Sequence, residues 1–263
     1  MEKRKTIMVL QQDARLQAAA CALEQAGWWI ADETQAPQTS VWVLPLPLSA
    51  ERPGLAELLQ QASPGTLILG GRIAPSVYDL PRAKGVELVD YYARPELVEL
   101  NAIPTAEGCI AMLMANSKRT LWQQKILLIG FGRVARALAV RLAALGAQVT
   151  VAARDSAQRA FAKGLGCEAV PLEQLNHLTD YSTVVNTVPA MLLDESRLEK
   201  LPQGSLIVDL ASKPGGTDFA AAKRLGHTAL HALGLPGKCA PETAGQFIAD
   251  TILQILQERS EQL

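Results

Sequence analysis

Glycine-rich turns flanked by Lys and Arg are the segments of this chain best suited to chemistry, and the chemistry they suit is the binding of anions. The first is Gly130-Phe131-Gly132-Arg133-Val134-Ala135, which has the G-x-G-x-x-G/A form. An apolar run leads into it and an amphipathic pattern follows, so strand, tight turn and helix are predicted in that order. Gly130 then permits the turn, Gly132 lets the backbone approach a pyrophosphate, and Ala135 lets the helix lie close on the sheet. The amides that open the helix, those of Arg133 and Val134 among them, face the phosphates, and the helix dipole favours the negative charge. The competing reading is a plain strand-to-helix turn that needs glycine for geometry alone.

The next strand ends at Ala153-Arg154-Asp155-Ser156. Enzymes that use NAD place Asp or Glu about twenty residues beyond the glycines, on the ribose 2′-hydroxyl. Here Arg154 is suited to a 2′-phosphate and Ser156 can donate a second bond, so NADP is expected over NAD. Asp155 reads either as the ribose acid displaced by one position or as the cap of the following helix.

Ligands of open α/β sheets bind outside the carboxyl ends of the strands, and three more such ends carry unusual residues. Asn186-Thr187-Val188-Pro189 and Asp209-Leu210-Ala211 are expected to line the cofactor. Beyond Ala211 comes Ser212-Lys213-Pro214-Gly215-Gly216, and His231 leads to Leu235-Pro236-Gly237-Lys238. Both stretches read as Gly/Pro loops that aim a lysine at an anion. Ordinary turn chemistry with solvated lysines is the bland alternative.

The elements that position these residues alternate in type. In the first half, strands are predicted at Thr6–Leu10, Trp28–Ala31, Val41–Leu44, Thr66–Leu69 and Val86–Val89, with helices at Ala14–Gln25 and Leu55–Gln61. In the second half, strands are predicted at Ile126–Ile129, Val149–Ala152, Val184–Asn186, Leu206–Leu210 and Thr228–Ala232, with a helix at Val134–Leu145. The expected class is α/β, with two domains, each a mostly parallel sheet flanked by helices, the second of Rossmann type. Residues 1–103 form the first domain, 104–118 an interdomain helix capped by Thr105 behind Pro104, and 119–241 the dinucleotide domain. A last helix within 242–263 carries Ala244, Phe247, Ile248, Ile252, Ile255 and Leu256 on one face and is expected to pack back on the first domain.

The chain has 263 residues, 49% of them apolar and 19% charged, which suits a packed core. Its 25 Lys and Arg balance 26 Asp and Glu, so no charge argument favours nucleic acid or an anionic membrane. No window reaches the roughly eighteen uninterrupted apolar residues of a spanning helix, and the N-terminus lacks the features of a signal peptide. The four cysteines are widely spaced, which predicts reduced, mostly buried thiols in a cytoplasmic protein. With only three histidines, the chain shows no metal-ligand spacing. His177 and His227 read as solvated loop residues.

The segments NAIPTAEG, GFGRVA, VAARDS, NTVPA, DLASKPGGTDF and HALGLPGKCAPETAG, in this order, resemble the A subunit of dipicolinate synthase. The likeness is dense from Asn101 onward and diffuse between about Ala31 and Leu100; where Gln11 and Gln12 stand, glycines are expected for that family. More distantly, the layout is similar to D-2-hydroxyacid, shikimate and methylene-tetrahydrofolate dehydrogenases, although the catalytic His of the first group has no counterpart, since Gly237 and Lys238 stand there. The resemblance implies an NADP-linked enzyme of sporulation that oxidises dihydrodipicolinate, formed from a hydroxy-tetrahydro precursor, to pyridine-2,6-dicarboxylate. It also implies a flavoprotein-like B subunit, and it is compatible with a homo-oligomer of this chain.

That reaction removes one hydride and one proton, so the protein must orient the substrate, pair its charges and supply at most one base. Lys213, Lys238 and the amides of Gly215 and Gly216 are the candidates for the substrate carboxylates, with Arg15 and Thr105 for the other wall. As catalytic groups the candidates are Lys213, His231 and Glu107; Glu107 also reads as first-turn charge on its helix. Two other functions compete: an NADP-dependent dehydrogenase of another small carboxylate, and a non-catalytic NADP-binding regulatory subunit.

Overall fold

A computed structural model describes residues 5–83, 85–175 and 177–261. In chain order they form β1 (Thr6–Val9), α1 (Ala14–Gln25), β2 (Trp29–Ala31), β3 (Val41–Val43), α2 (Leu55–Gln60), β4 (Leu67–Gly70), α3 (Pro75–Tyr78), β5 (Glu87–Asp90) and α4 (Pro95–Asn116). There follow β6 (Lys125–Ile129), α5 (Arg133–Ala144), β7 (Gln148–Ala153), α6 (Ser156–Gly164), β8 (Glu168–Pro171) and β9 (Thr183–Asn186). The chain continues through α7 (Glu195–Leu198), β10 (Leu206–Asp209), α8 (Phe219–Arg224), β11 (Thr228–His231), α9 (Leu235–Cys239) and α10 (Pro241–Ser260). The chain divides into two compact units, Met1–Asn101 with Ala240–Leu263, and Ala102–Cys239.

Each unit is built on one sheet in which every neighbouring pair is parallel. The first sheet runs β2-β1-β3-β4-β5 and the second β11-β10-β9-β6-β7-β8. The α/β class with a Rossmann-type second half is therefore borne out. Central strands such as Leu67–Gly70 and Leu206–Asp209 are buried along their whole length, as expected when helices cover both faces of a parallel sheet. Each sheet reverses direction of growth once, between β1 and β3 in the first and between β6 and β9 in the second. Those reversals open a crevice at the carboxyl ends of the strands.

In the first unit α10 lies on α1, and Ile248, Ala249, Ile252 and Ile255 share a buried cluster with Leu16, Ala19 and Leu23. Arg94 pairs with Glu258 and Arg259 with Glu87 along the exposed edge, contacts that contribute little beside the apolar seam. Phe247 and Leu256, expected on the buried face, are partly buried against the same cluster.

Several local expectations require correction. The helix expected to start behind Pro104 begins at Pro95 and passes through Pro104. Thr105 is therefore interior rather than a cap, and Glu107 lies beyond the first turn. A proline removes one backbone bond from a helix; burial of Ala106, Cys109 and Leu113 in the second unit's core outweighs that loss here. By length and composition α4 would also serve as a membrane span, among the described residues the one such helix. Strand β8 goes beyond the strands expected, being a four-residue edge strand that ends in Pro171. Of the thiols, Cys109 and Cys167 are buried, whereas Cys21 and Cys239 are exposed. Burial pushes the Cys109 thiol up to about 12, so it serves as a core atom rather than a nucleophile. His227 is buried rather than solvated, with Nε2 3.1 Å from the Leu198 carbonyl.

Candidate functional site

The glycine turn sits at the reversal of the second sheet. Gly130 follows β6 with φ of +88°, and a side chain built there would meet Thr187 Oγ1 at 2.5 Å and Val188 Cγ2 at 2.7 Å. Only glycine fits both the left-handed backbone and the close approach of the β9 end. Thr187 fixes that approach: its hydroxyl donates to the Ile129 carbonyl at 2.8 Å, and its amide to the same oxygen at 3.0 Å.

Gly132, the N-cap of α5, makes no side-chain cap bond, and the space where its side chain would stand is open. The first turn of a 12-residue helix thus faces room for a diphosphate. Ala135 is fully buried where α5 lies on the sheet. These features fit a dinucleotide, with the amides after Gly132 holding its diphosphate. Phe131, expected to face the cofactor, turns its ring into the core against Phe161, with centroids 6.1 Å apart. Only its backbone remains for the ligand.

At the end of β7 the two readings of Asp155 resolve. Its carboxylate accepts the amides of Ala157 at 2.6 Å and Gln158 at 3.1 Å, which makes it the N-cap of α6. Arg154 is exposed beside it, and Ser156 is the first residue of the helix. Sequence reasoning missed Arg159, whose guanidinium donates to the carbonyls of Ala153 and Arg154 and braces this turn. A basic residue one turn into the helix after the second strand is the signal that would have found it.

A buried polar network holds the ends of β9 and β10. Asn186 and Asp209 have no solvent exposure. Asn186 Nδ2 donates to Asp209 Oδ1 at 2.9 Å and to the Val188 carbonyl at 3.0 Å, and its Oδ1 accepts the Val188 amide. Asp209 also accepts the amides of Ala211 at 2.9 Å and Gly216 at 2.8 Å. The loop between them carries Ser212 and Lys213, both exposed, and a cis bond from Lys213 to Pro214. Gly216 has no room for a side chain: a Cβ would lie 2.3 Å from Asn186 Nδ2 and 2.6 Å from the Val188 carbonyl oxygen. Leu210, half-buried, and Ala211, buried, complete the strand end; Pro189 is exposed.

His231 closes the loop from the neighbouring strand. Its Nε2 is 3.0 Å from the Ala211 carbonyl oxygen, and its ring stacks against Phe219 with centroids 5.3 Å apart. A carbonyl oxygen only accepts, so Nε2 carries the proton and Nδ1 is the one nitrogen left for base chemistry. Glu107 is paired with Arg141, Oε1 to Nε 3.4 Å, on the α4–α5 surface. Lys238 lies on the short helix α9 and not in a Gly/Pro loop. Arg15, in the first unit, pairs with Asp13, the N-cap of α1, and donates to the Leu46 carbonyl at 2.8 Å. The structure thus joins Lys213, Gly215, Gly216, Asp209 and His231 in one cluster.

Residues 106–214 match the family model described as the D-isomer specific 2-hydroxyacid dehydrogenase, NAD binding domain. The A subunit of dipicolinate synthase from Bacillus subtilis (strain 168) is 39% identical over 173 residues, a stretch covering 65% of this chain and 58% of that protein. The match thus spans less than two thirds of that relative's length. The crystal structure of the corresponding Bacillus subtilis subunit superposes with a TM-score of 0.87 at 29% identity, covering 100% of this chain and 99% of the other. This protein is similar in sequence and in fold to the dipicolinate synthase A subunits. The one from Bacillus halodurans gives the same TM-score at 28% identity, with 97% and 99% covered. The likeness to the family model makes residues 106–214 a dehydrogenase-type domain for a nicotinamide dinucleotide.

Proposed function

We propose that this chain is the NADP-linked, substrate-oxidising A subunit of a dipicolinate synthase, working in the cytoplasm on dihydrodipicolinate. The observation that carries the reading is the Lys213 loop, a cation on rigid backbone beside the carboxyl ends of β9 and β10 in a chain related to that subunit. A bound nicotinamide supplies the hydride acceptor. It would take the hydride of one ring C–H bond, and loss of one further ring proton would leave the aromatic pyridine. Lys213 pairs with one substrate carboxylate; the amides of Gly215 and Gly216, expected to join it, donate instead to the Ser212 carbonyl and to Asp209. Asp209 holds that loop in place, and His231 pins it through the Ala211 carbonyl. With Nε2 of His231 engaged and Glu107 paired with Arg141, only Nδ1 of His231 is left as a base between these two groups. That shortage supports a role for a B subunit in completing the site.

The test is turnover. The purified chain, alone and with its B subunit, is given dihydrodipicolinate and either NADP or NAD, and pyridine-2,6-dicarboxylate is followed. Product with NADP, at a rate that rises on adding the partner, is the expected result. No product under any of the four conditions would sink the reading.

Arg154 is the proposed partner of the 2′-phosphate. Loss of one charge-assisted contact costs roughly 1.5–3 kcal/mol, about ten- to more than hundredfold in affinity. Calorimetry on Arg154→Ala should therefore show NADP weakened by that factor and NAD unchanged. Equal affinity of the unaltered chain for both cofactors contradicts the assignment.

A further inference from the structure

The first sheet has a carboxyl end of its own. Its order reverses between β1 and β3, the place where such sheets take ligands. Hydrogen bonds stitch three loops together there. Leu10 N donates to the Val43 carbonyl, Gly71 N to Pro45, Leu48 N to Gly71 and Ala74 N to Leu48. The loops after β1, β3 and β4 therefore form one continuous rim.

Three arginines stand on or beside this rim, and they are not equivalent. Arg15 is matched: its Nη2 lies 2.6 Å from Asp13 Oδ2 and 2.8 Å from the Leu46 carbonyl oxygen. Asp13 is half-buried. Burial works to raise its carboxyl, and the Arg15 guanidinium with the amides of α1 outweighs this and leaves it below the usual carboxylate range. Arg52 is tied to the β1 loop by Nε, which donates to Gln12 Oε1 at 3.2 Å. Its Nη1 is shut off from solvent and has no acceptor. A buried donor of a charged group is costly to leave unpaired.

Arg72 follows Gly70 and Gly71 at the end of β4 with φ of 47°, a left-handed backbone that a side chain disfavours. It is held there by Asp90, whose carboxylate accepts the amides of Arg72 at 2.9 Å, Ile73 at 3.0 Å and Tyr92 at 2.8 Å. The Arg72 side chain is exposed. Among the described residues neither Arg52 nor Arg72 has an ion pair. The nearby carboxylates, Asp13 and Asp90, are both taken up by other donors. Strain of this kind persists where the surroundings impose it, and it concentrates at ligand clamps.

We propose that the carboxyl end of the first sheet is a binding site for a small organic carboxylate, with Arg52 and Arg72 as its cationic ligands and Gln12 orienting Arg52. The fork of each guanidinium matches the two oxygens of a carboxylate. The choice of carboxylate over phosphate rests on the proposed dipicolinate synthase function; the residues and their geometry do not.

The test uses the full chain labelled with 15N and amide NMR, titrated with pyridine-2,6-dicarboxylate and, separately, with inorganic phosphate. Amides near Gln12 and Arg72 should shift saturably with the dicarboxylate and much less with phosphate. Arg72→Gly is the decisive variant, because glycine suits the backbone at that position and the fold is retained while the guanidinium is lost. It should weaken the dicarboxylate at least about tenfold and leave NADP affinity unchanged. Arg52→Lys, which keeps the charge and loses the fork, should weaken it in the same direction. Shifts confined to residues 211–217, equal response to phosphate, or full affinity in Arg72→Gly would each overturn the proposal. Turnover separates the two readings. Rim shifts without turnover leave this site standing and remove the dipicolinate synthase assignment; turnover without rim shifts does the reverse.

Discussion

Truncating Asp209 to alanine is expected to destabilise the chain by roughly 3–5 kcal/mol and to abolish turnover. The carboxylate has no solvent exposure and accepts from Asn186 Nδ2, the Ala211 amide and the Gly216 amide. Removing it strands three buried donors, each worth about 1–3 kcal/mol when unpaired, with water in the new cavity recovering part of the loss. Asp209→Asn separates the two roles of the group. Its oxygen can keep the two bonds now made by Oδ1, but its amide nitrogen must then face the Gly216 amide, donor against donor. That variant should lose roughly 1–3 kcal/mol, yet it frees the loop that carries Lys213. Activity on the dicarboxylate should therefore fall further than stability, with NADP affinity near that of the unaltered chain. Urea denaturation and steady-state kinetics on both variants provide the check. A midpoint for Asp209→Ala equivalent to a loss under about 1 kcal/mol would show that the carboxylate does not hold the loop.

This network marks the limit of what the sequence discloses. The glycine turn is legible because its signal is local: strand, Gly130, Gly132, Ala135 and helix lie within one short stretch. All five strands of the first sheet are likewise placed to within about a residue, since each is a short apolar run bounded by turn residues. The pairing of Asn186 with Asp209 joins residues 23 apart in the chain, and nothing local to either one announces the other. Asp155 carries two readings because a ribose acid and an N-cap require the same side chain at nearly the same place. Pro104 misleads for another reason. Its local rule is sound, but a helix that buries Cys109 and Leu113 completely can absorb one missing bond. Lys238 misleads through composition: Leu235-Pro236-Gly237-Lys238 reads as a turn, yet proline is at home in the first turn of a helix, and α9 begins there. Arg15 has the right type and place for a substrate ligand, but the carboxylate of Asp13 two residues earlier claims it.

The largest purely structural effect is expected at Gly245, where helix propensity and packing point in opposite directions. In an α-helix, alanine is favoured over glycine by about 1 kcal/mol, so Gly245→Ala should stabilise α10 if propensity decides. The seam with α1 argues otherwise. A Cβ at this position would lie 2.4 Å from the Arg15 carbonyl oxygen, 2.5 Å from Ala18 Cβ and 2.9 Å from the Ala19 amide nitrogen. Two of those three atoms are backbone, which cannot rotate aside, so the helices must separate along a contact that buries Ala19, Ile248 and Ile252. Overpacking of this kind costs typically about 1–3 kcal/mol, and opening the apolar seam adds to it. Packing wins, and Gly245→Ala should destabilise by roughly 1–3 kcal/mol net, with Gly245→Val worse. Gly164, the last residue of α6, supplies the control, since a Cβ there meets nothing within 4 Å. Gly164→Ala should be neutral or stabilising by a few tenths to about 1 kcal/mol. Thermal and urea unfolding of the two variants should move in opposite directions. If both are stabilised, propensity has decided at each site, and the α1–α10 seam is looser than these contacts require.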